Sequence, residues 1–262
     1  MAPIDSLDPA PFPGRVKGVL FDIDETLVDL YRAMADAMVF ASERLLPDFT
    51  AADWEDFAAL YMADPLEYYD RYVAGEFTFA QQRGLRARVV FDKLGFLEFN
   101  DAVEQRWISD FETAQPQSIQ AFADVVPLLD ALDAAGIPYG AVSNNVHDYQ
   151  RTKLDVAGLS RIEVLIGIDT VNVSKPDAAI FLEGCRQLGT VPEETMYVGD
   201  NFMVDGVGAA NAGMHSVWLN RSGKVAPDVS EGDASVAAGL RVVTDLDQVH
   251  SLLGLHTHAA RV

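Results

Sequence analysis

The chain of 262 residues is poor in three things. Cysteine occurs once, at Cys185, so no intramolecular disulfide can form. Long apolar runs are missing: none approaches the roughly 20 residues that a membrane-spanning helix needs. The opening stretch, 1–14, is rich in Pro and Asp and has no signal-peptide core, so it reads as a loose arm. Basic residues are scarce, with 19 Lys and Arg against 40 Asp and Glu, a net charge of −21. That field repels duplex nucleic acid and anionic membranes, and a phosphorylated ligand would need a metal or a local basic cluster to approach it. The expectation is a soluble, cytoplasmic protein with no nucleic-acid or membrane partner. Two N-x-S sequons, at Asn172 and Asn220, have no meaning without secretion.

What is present is an apolar content of 49%, enough for a real core and too high for a disordered chain. Residues 16–21 (VKGVLF) form a short apolar run that ends in acidic residues, the pattern of a buried strand with a functional end. Residues 31–115 differ. Helical spacing fits 31–46, 51–62, 65–73, 77–94 and 98–114, aromatics are dense, and no convincing strand is visible. Strands and helices alternate afterwards. Helices are predicted over 119–135, 149–157, 177–188, 206–212 and 249–253, and strands over 137–142, 164–168, 196–198, 216–219 and 241–243. Gly136, Gly158 and Gly189 follow three of these helices at C′ positions. Such alternation implies a parallel sheet covered on both faces, with ligands at the carboxyl ends of its strands.

Chemistry-bearing residues concentrate just after four of these strands. Asp22 and Asp24, at i and i+2, would point to one side of an extended chain, and two close carboxylates are costly without a cation between them. They fit a nucleophile with an acid/base partner and a hard-metal site, and equally a solvated turn with a helix cap. Ser143 and Asn144 follow a second strand, where a hydroxyl, an amide and backbone N–H groups can bind an anion or simply cap a helix. Lys175 precedes Pro176, which suits a first helical turn. Asp200 and Asp205 follow a fourth strand and offer hard oxygen ligands suited to Mg²⁺. Together these four aspartates, one lysine and a divalent cation would leave the site with a single surplus negative charge.

The set Asp22-Ile-Asp24-Glu-Thr26, Ser143-Asn144, Lys175-Pro176 and Gly199-Asp200 through Asp205, in this order, resembles the four motifs of the haloacid dehalogenase-like hydrolase superfamily. The likeness covers roughly 15–30 and 117–250. It implies an α/β fold, a doubly wound parallel sheet (the Rossmannoid core) over 1–28 and 116–262, with an inserted α-helical cap domain over 29–115. It implies a phosphatase acting on a small phosphorylated metabolite. Asp22 would form an aspartyl-phosphate and Asp24 would protonate the leaving oxygen and then help activate water. Mg²⁺ would be held by Asp22, Asp24 (through its backbone carbonyl), Asp200 and Asp205. Ser143, Asn144 and Lys175 would hold the transferring phosphoryl group. Thr26 would be a further phosphate-binding residue and would buttress the loop after the nucleophile.

In that family the cap selects substrate. Tyr31, Arg32, Arg71, Tyr72, Arg83 and Arg86 are cap candidates, each equally readable as structural. Several neighbouring activities share the motifs or the fold. Dehalogenases lack the second aspartate, so Asp24 favours phosphoryl transfer. A phosphonatase needs a cap lysine, and Lys93 is the lone lysine of 31–115. A phosphomutase shares all four motifs. A phosphate-sensing module would be shorter and would not need Asp24. Residues outside the motifs read blandly: His147 as a surface helix start, Cys185 as core packing, and His256 and His258 as a tail.

Overall fold

The computed structural model describes residue 12 and residues 14–227 and 239–255. Most of the expected arm and the His256/His258 pair lie outside these. The chain divides into two compact units, 1–29 with 120–262, and 30–119.

The first unit is built on a six-stranded, wholly parallel sheet. Its strands are β1 (Gly18–Phe21), β2 (Tyr139–Val142), β3 (Val164–Ile166), β4 (Thr195–Gly199), β5 (His215–Leu219) and β6 (Arg241–Val243). Their spatial order is β3-β2-β1-β4-β5-β6. β1 and β4 are buried along their whole length, as strands covered on both faces must be. Helices α6 (Val125–Ala135), α7 (His147–Val156), α8 (Ile168–Val171), α9 (Ala178–Leu188), α10 (Gly208–Asn211) and α11 (Asp247–Leu252) connect or follow them. Helix α9 can lie close to the sheet because Gly184 has no side chain: a Cβ there would meet Leu20 Cδ1 at 2.6 Å. Phe181, Cys185 and Tyr197 share that core, so Cys185 is packing.

The strand order sets the site. β1 lies between β2 and β4, so the connections leave its two sides in opposite directions, and the crevice at its carboxyl end is where ligands bind in such sheets. Phe21, the last residue of β1, is in register with Ala141 and Val198. The ends of three central strands therefore come out at one level.

Three expectations need correction. Residues 119–124 are not helical: Phe122 N–H donates to Leu27 O at 3.0 Å and Asp29 N–H to Gln120 O at 3.0 Å, so this stretch pairs with the loop after β1. Strand β3 ends at Ile166, because Gly167 turns the chain and Ile168 opens α8. Pro176 stands before the first turn of α9, whose cap is Asp177, with its Oδ1 accepting from Ala179 N–H at 2.8 Å.

The second unit is helical throughout: α1 (Leu30–Ser42), α2 (Ala51–Ala63), α3 (Tyr68–Val73), α4 (Phe79–Lys93) and α5 (Asp101–Ala114), closed by a 3₁₀ turn (Gln115–Ser118). Thr50 and Thr78 open α2 and α4 with reciprocal capping boxes to Asp53 and Gln81. Helix α1 stops at Ser42, short of the expected end at 46, and its serine hydroxyl accepts from the indole of the buried Trp107 at 2.8 Å. The dense aromatics mostly pack against one another: Phe57, Tyr61, Phe91, Trp107 and Phe111 are buried in one cluster.

Candidate active site

Asp22 follows β1 directly, its N–H still bonded to Val198 O at 2.9 Å. Its carboxylate is buried and accepts from Lys175 Nζ at 2.6 Å. The same ammonium donates to Asp205 Oδ1 at 2.7 Å and to the Tyr197 hydroxyl at 2.9 Å. Lys175 is thus buried among two carboxylates and a phenol, which together hold its pKa well above the ordinary value despite the opposing cost of burial.

Lys175 is fixed through its backbone. Asn144 accepts from Lys175 N–H at 2.6 Å through Oδ1 and donates to Lys175 O at 2.9 Å through Nδ2. The Asn144 amide is therefore occupied in locking the β2 loop to the Lys175 loop, where the sequence had suggested a phosphoryl contact. Asp205 is placed by a wide π-helical turn, Phe202–Val207, capped by Asn201, whose Oδ1 accepts from Met203 and Val204 N–H. Asp205 folds back over Gly199, where a Cβ would lie 2.4 Å from the Asp205 carboxyl carbon, so this position admits only glycine. Asn201 N–H donates to Asp205 Oδ2 at 3.0 Å.

Asp22, Asp200 and Asp205 each offer an oxygen within 4.8 Å of the others. Burial pushes the Asp22 carboxyl up to about 8; Lys175 opposes this, and Asp205, Asp200 and Asp24 add to it. Burial raises Asp200 to about 6, with Asp205 adding to it and Lys224 and Lys175 opposing. The cluster thus holds more negative charge than Lys175 neutralises. Three carboxylates at the strand ends with one ammonium among them, short of two positive charges, are a donor set that fits a hard divalent cation.

Asp24 lies apart from that cluster. Its Oδ1 pairs with Lys153 Nζ and its Oδ2 accepts from Gln150 Nε2 at 3.0 Å. Gln150 Nε2 also donates to Ser143 Oγ at 2.7 Å, so Ser143 and Asp24 share one amide. Thr26 is fully buried and its hydroxyl has no partner among the described residues; its carbonyl accepts from Arg221 Nη2 at 3.1 Å. Thr26 is therefore inside the loop that it would buttress, not on a surface a phosphate could reach.

Three residues of this site were invisible to sequence reasoning. Tyr197 is the one aromatic residue of β4 (TMYVG), which is a weak signal. Gln150 and Lys153 share with Leu154 the buried stripe of α7, at i, i+3 and i+4, where apolar residues would be expected. His147 is at the exposed start of α7, its N–H donating to Asp169. Among the described residues no helix is long and apolar enough to cross a membrane.

A family model for haloacid dehalogenase-like hydrolases matches residues 16–213. The chain is 28% identical to hexitol phosphatase A of Escherichia coli strain K12 over 186 residues, 71% of this chain and 75% of that protein. It is 30% identical to phosphoglycolate phosphatase of Xylella fastidiosa over 231 residues, 83% and 87% of the two chains. It is 26% identical to an (S)-2-haloacid dehalogenase of Pseudomonas putida over 210 residues, 79% and 86%. Among solved structures, a family hydrolase from Deinococcus radiodurans R1 superposes with a TM-score of 0.66 over 94% of this chain and 100% of its own, at 22% identity. That last likeness shows the fold alone.

Proposed function

The chain belongs to the haloacid dehalogenase-like hydrolase family, and on that premise we propose that it is a magnesium-dependent phosphatase of a small phosphorylated metabolite, with Asp22 as nucleophile. The observation that carries this reading is the pair of carboxylates two residues apart in different surroundings. Asp22 sits in the acidic cluster on Lys175, and Asp24 sits outside it on Lys153 and Gln150. Environments that differ in this way are how two like groups acquire two roles. The second carboxylate also favours an ester over a halide. A departing halide needs no proton, whereas a departing alkoxide does.

In this mechanism an Asp22 oxygen attacks phosphorus as the ester bond breaks, and Asp24 protonates the leaving oxygen. Lys175 holds the Asp22 carboxylate in line and faces the transferring oxygens with positive charge. Ser143, whose oxygen already accepts from Gln150, has its own hydrogen left to donate to a phosphoryl oxygen. Asn144 acts on substrate through Lys175, whose backbone it fixes. Asp22, Asp200 and Asp205, with the Asp24 carbonyl, would hold Mg²⁺, which supplies further positive charge against the phosphoryl oxygens. Asp24 then takes a proton from the water that frees phosphate from Asp22.

We assign the choice of substrate to the 30–119 unit, as its cap. Arg83 and Arg86 are not its reading residues. Arg86 donates to Tyr61 O and Gln82, and Arg83 pairs with Glu112 and lies over Phe79 and Phe111. The test is phosphate release, with Mg²⁺, from hexitol phosphates, triose phosphates, phosphoglycolate and nucleoside monophosphates, with Asp22→Asn as the blank. Release above the blank supports the reading and names the metabolite. Halide release from 2-haloacids without phosphate release would overturn it, and phosphoryl transfer to a second phosphate ester in place of water would make it a mutase.

A further inference from the structure

The buried stripe of α7 carries two polar residues that the four motifs do not include. Gln150 is wholly buried and Lys153 is 2% exposed. Neither earns its place by stability. Burying an ammonium is expensive even when it is paired. The other amide atom of Gln150, Oε1, is buried with no partner among the described residues, which adds a desolvation cost. What the two residues do achieve is geometric. Lys153 takes one oxygen of Asp24, Gln150 takes the other, and the same Gln150 amide holds Ser143.

We propose that Gln150 and Lys153 are positioning residues for the acid/base step, a two-point clamp that aims the Asp24 carboxyl at the ester oxygen and ties that aim to the phosphoryl-binding hydroxyl of Ser143. The proposal rests on the phosphatase reading above and deepens it. In the step concerned, the Asp22–phosphorus bond forms, the phosphorus–oxygen ester bond breaks, and the leaving oxygen keeps the bonding electrons and takes the Asp24 proton. A proton from the attacking water later returns to Asp24. Without the clamp Asp24 loses both of these side-chain contacts, and a misplacement of about 1 Å costs roughly 100-fold in such a transfer.

The leaving group supplies the test. An alkoxide must be protonated as it departs; 4-nitrophenolate is stable enough to leave without a proton. The ratio kcat/KM covers the steps up to leaving-group release and leaves out the later attack of water, so the difference between the two esters reports the protonation. Lys153→Met should lower kcat/KM for the best alkyl phosphate by roughly 100-fold, and by at least 30-fold more than for 4-nitrophenyl phosphate. Lys153→Arg, which keeps a cation in reach, should recover most of the loss. In an Asp24→Asn background Lys153→Met should cost little more, because the clamp then has nothing to aim. If Lys153→Met does not fold, Gln150→Leu is put through the same comparison with the same expected bias. Equal losses on both esters, or a full further loss in the Asp24→Asn background, would make the two residues merely structural and overturn the proposal. A wild-type protein that cleaves no alkyl phosphate would overturn the phosphatase reading, and this proposal with it.

Discussion

Arg86 in the helical unit and Lys175 in the sheet unit are both buried cations, and their neighbours differ. Arg86 donates to a main-chain carbonyl, Tyr61 O, at 3.2 and 2.9 Å, and to the neutral Gln82, with its guanidinium 4.1 Å from the centre of the Tyr61 ring. Among the described residues the carboxylate paired with it is Asp64, at 3.8 Å. Lys175 touches two carboxylates and a phenol, and a third carboxylate, Asp200, completes the cluster. In the first case the charge is closed in on itself and holds helices together. In the second it is outnumbered, and the surplus faces the carboxyl end of the sheet. A buried cation by itself therefore says little, whereas a surplus of the opposite charge around it marks a place that a ligand would complete.

The comparison is tested most severely by removing one charge from each unit. Asp22→Asn should lower phosphate release at least 1,000-fold while the thermal midpoint stays level or rises, since the group lost is a carboxyl whose ionisation is opposed by burial. Activity within tenfold of wild type would remove Asp22 from the chemistry. Arg86→Met should do the reverse. It strips the donors from Tyr61 O and leaves Asp64 without its cation, so we expect a loss of about 2–4 kcal/mol in urea unfolding. A stability change within 0.5 kcal/mol, or a shift in substrate preference without one, would make Arg86 a substrate contact after all.

The same contrast explains what was legible in the sequence. The strand-end motifs were readable because their residues follow strands whose apolar runs are themselves readable, and the parallel sheet then gathers them. Asp22, Lys175, Asp200 and Asp205 converge as their positions suggest. The clamp of Gln150 and Lys153 was not readable. The contact between Lys153 and Asp24 spans 129 residues, and a lysine on a helix gives no sign of facing inward until the sheet beneath it is known. Asn144 was expected at the phosphate, and its amide is bonded to a backbone 31 residues away. The false helix over 119–124 had the same origin. Its apolar residues had helical spacing, and its hydrogen bonds go to a loop that only the tertiary fold brings alongside. In the helical unit the dense aromatics are packing in the buried cluster around Tyr61 and Trp107.

The smallest effect we expect is in stability against pH, and it separates the units without any substrate. Asp22 and Asp200 have folded values raised from 3.8 to about 8 and about 6. Between pH 4 and 8 the folded protein therefore holds protons that the unfolded chain has released. Stability of the metal-free protein should fall as pH rises across that window. A divalent cation on the cluster takes over the role of those protons, so Mg²⁺ should cancel much of the fall. The thermal midpoints in EDTA and in Mg²⁺ should then lie close together at pH 5 and separate by roughly 5 °C at pH 8. The comparison is made at matched ionic strength, because a chain of net charge −21 is also stabilised by simple screening. In Asp200→Asn the gap at pH 8 should narrow, and in Arg86→Met, which leaves the strand-end cluster intact, it should persist on a lower midpoint. A gap that is equal at both pH values would mean that the ion is held elsewhere and that the acidic surplus at the strand ends is not what attracts it.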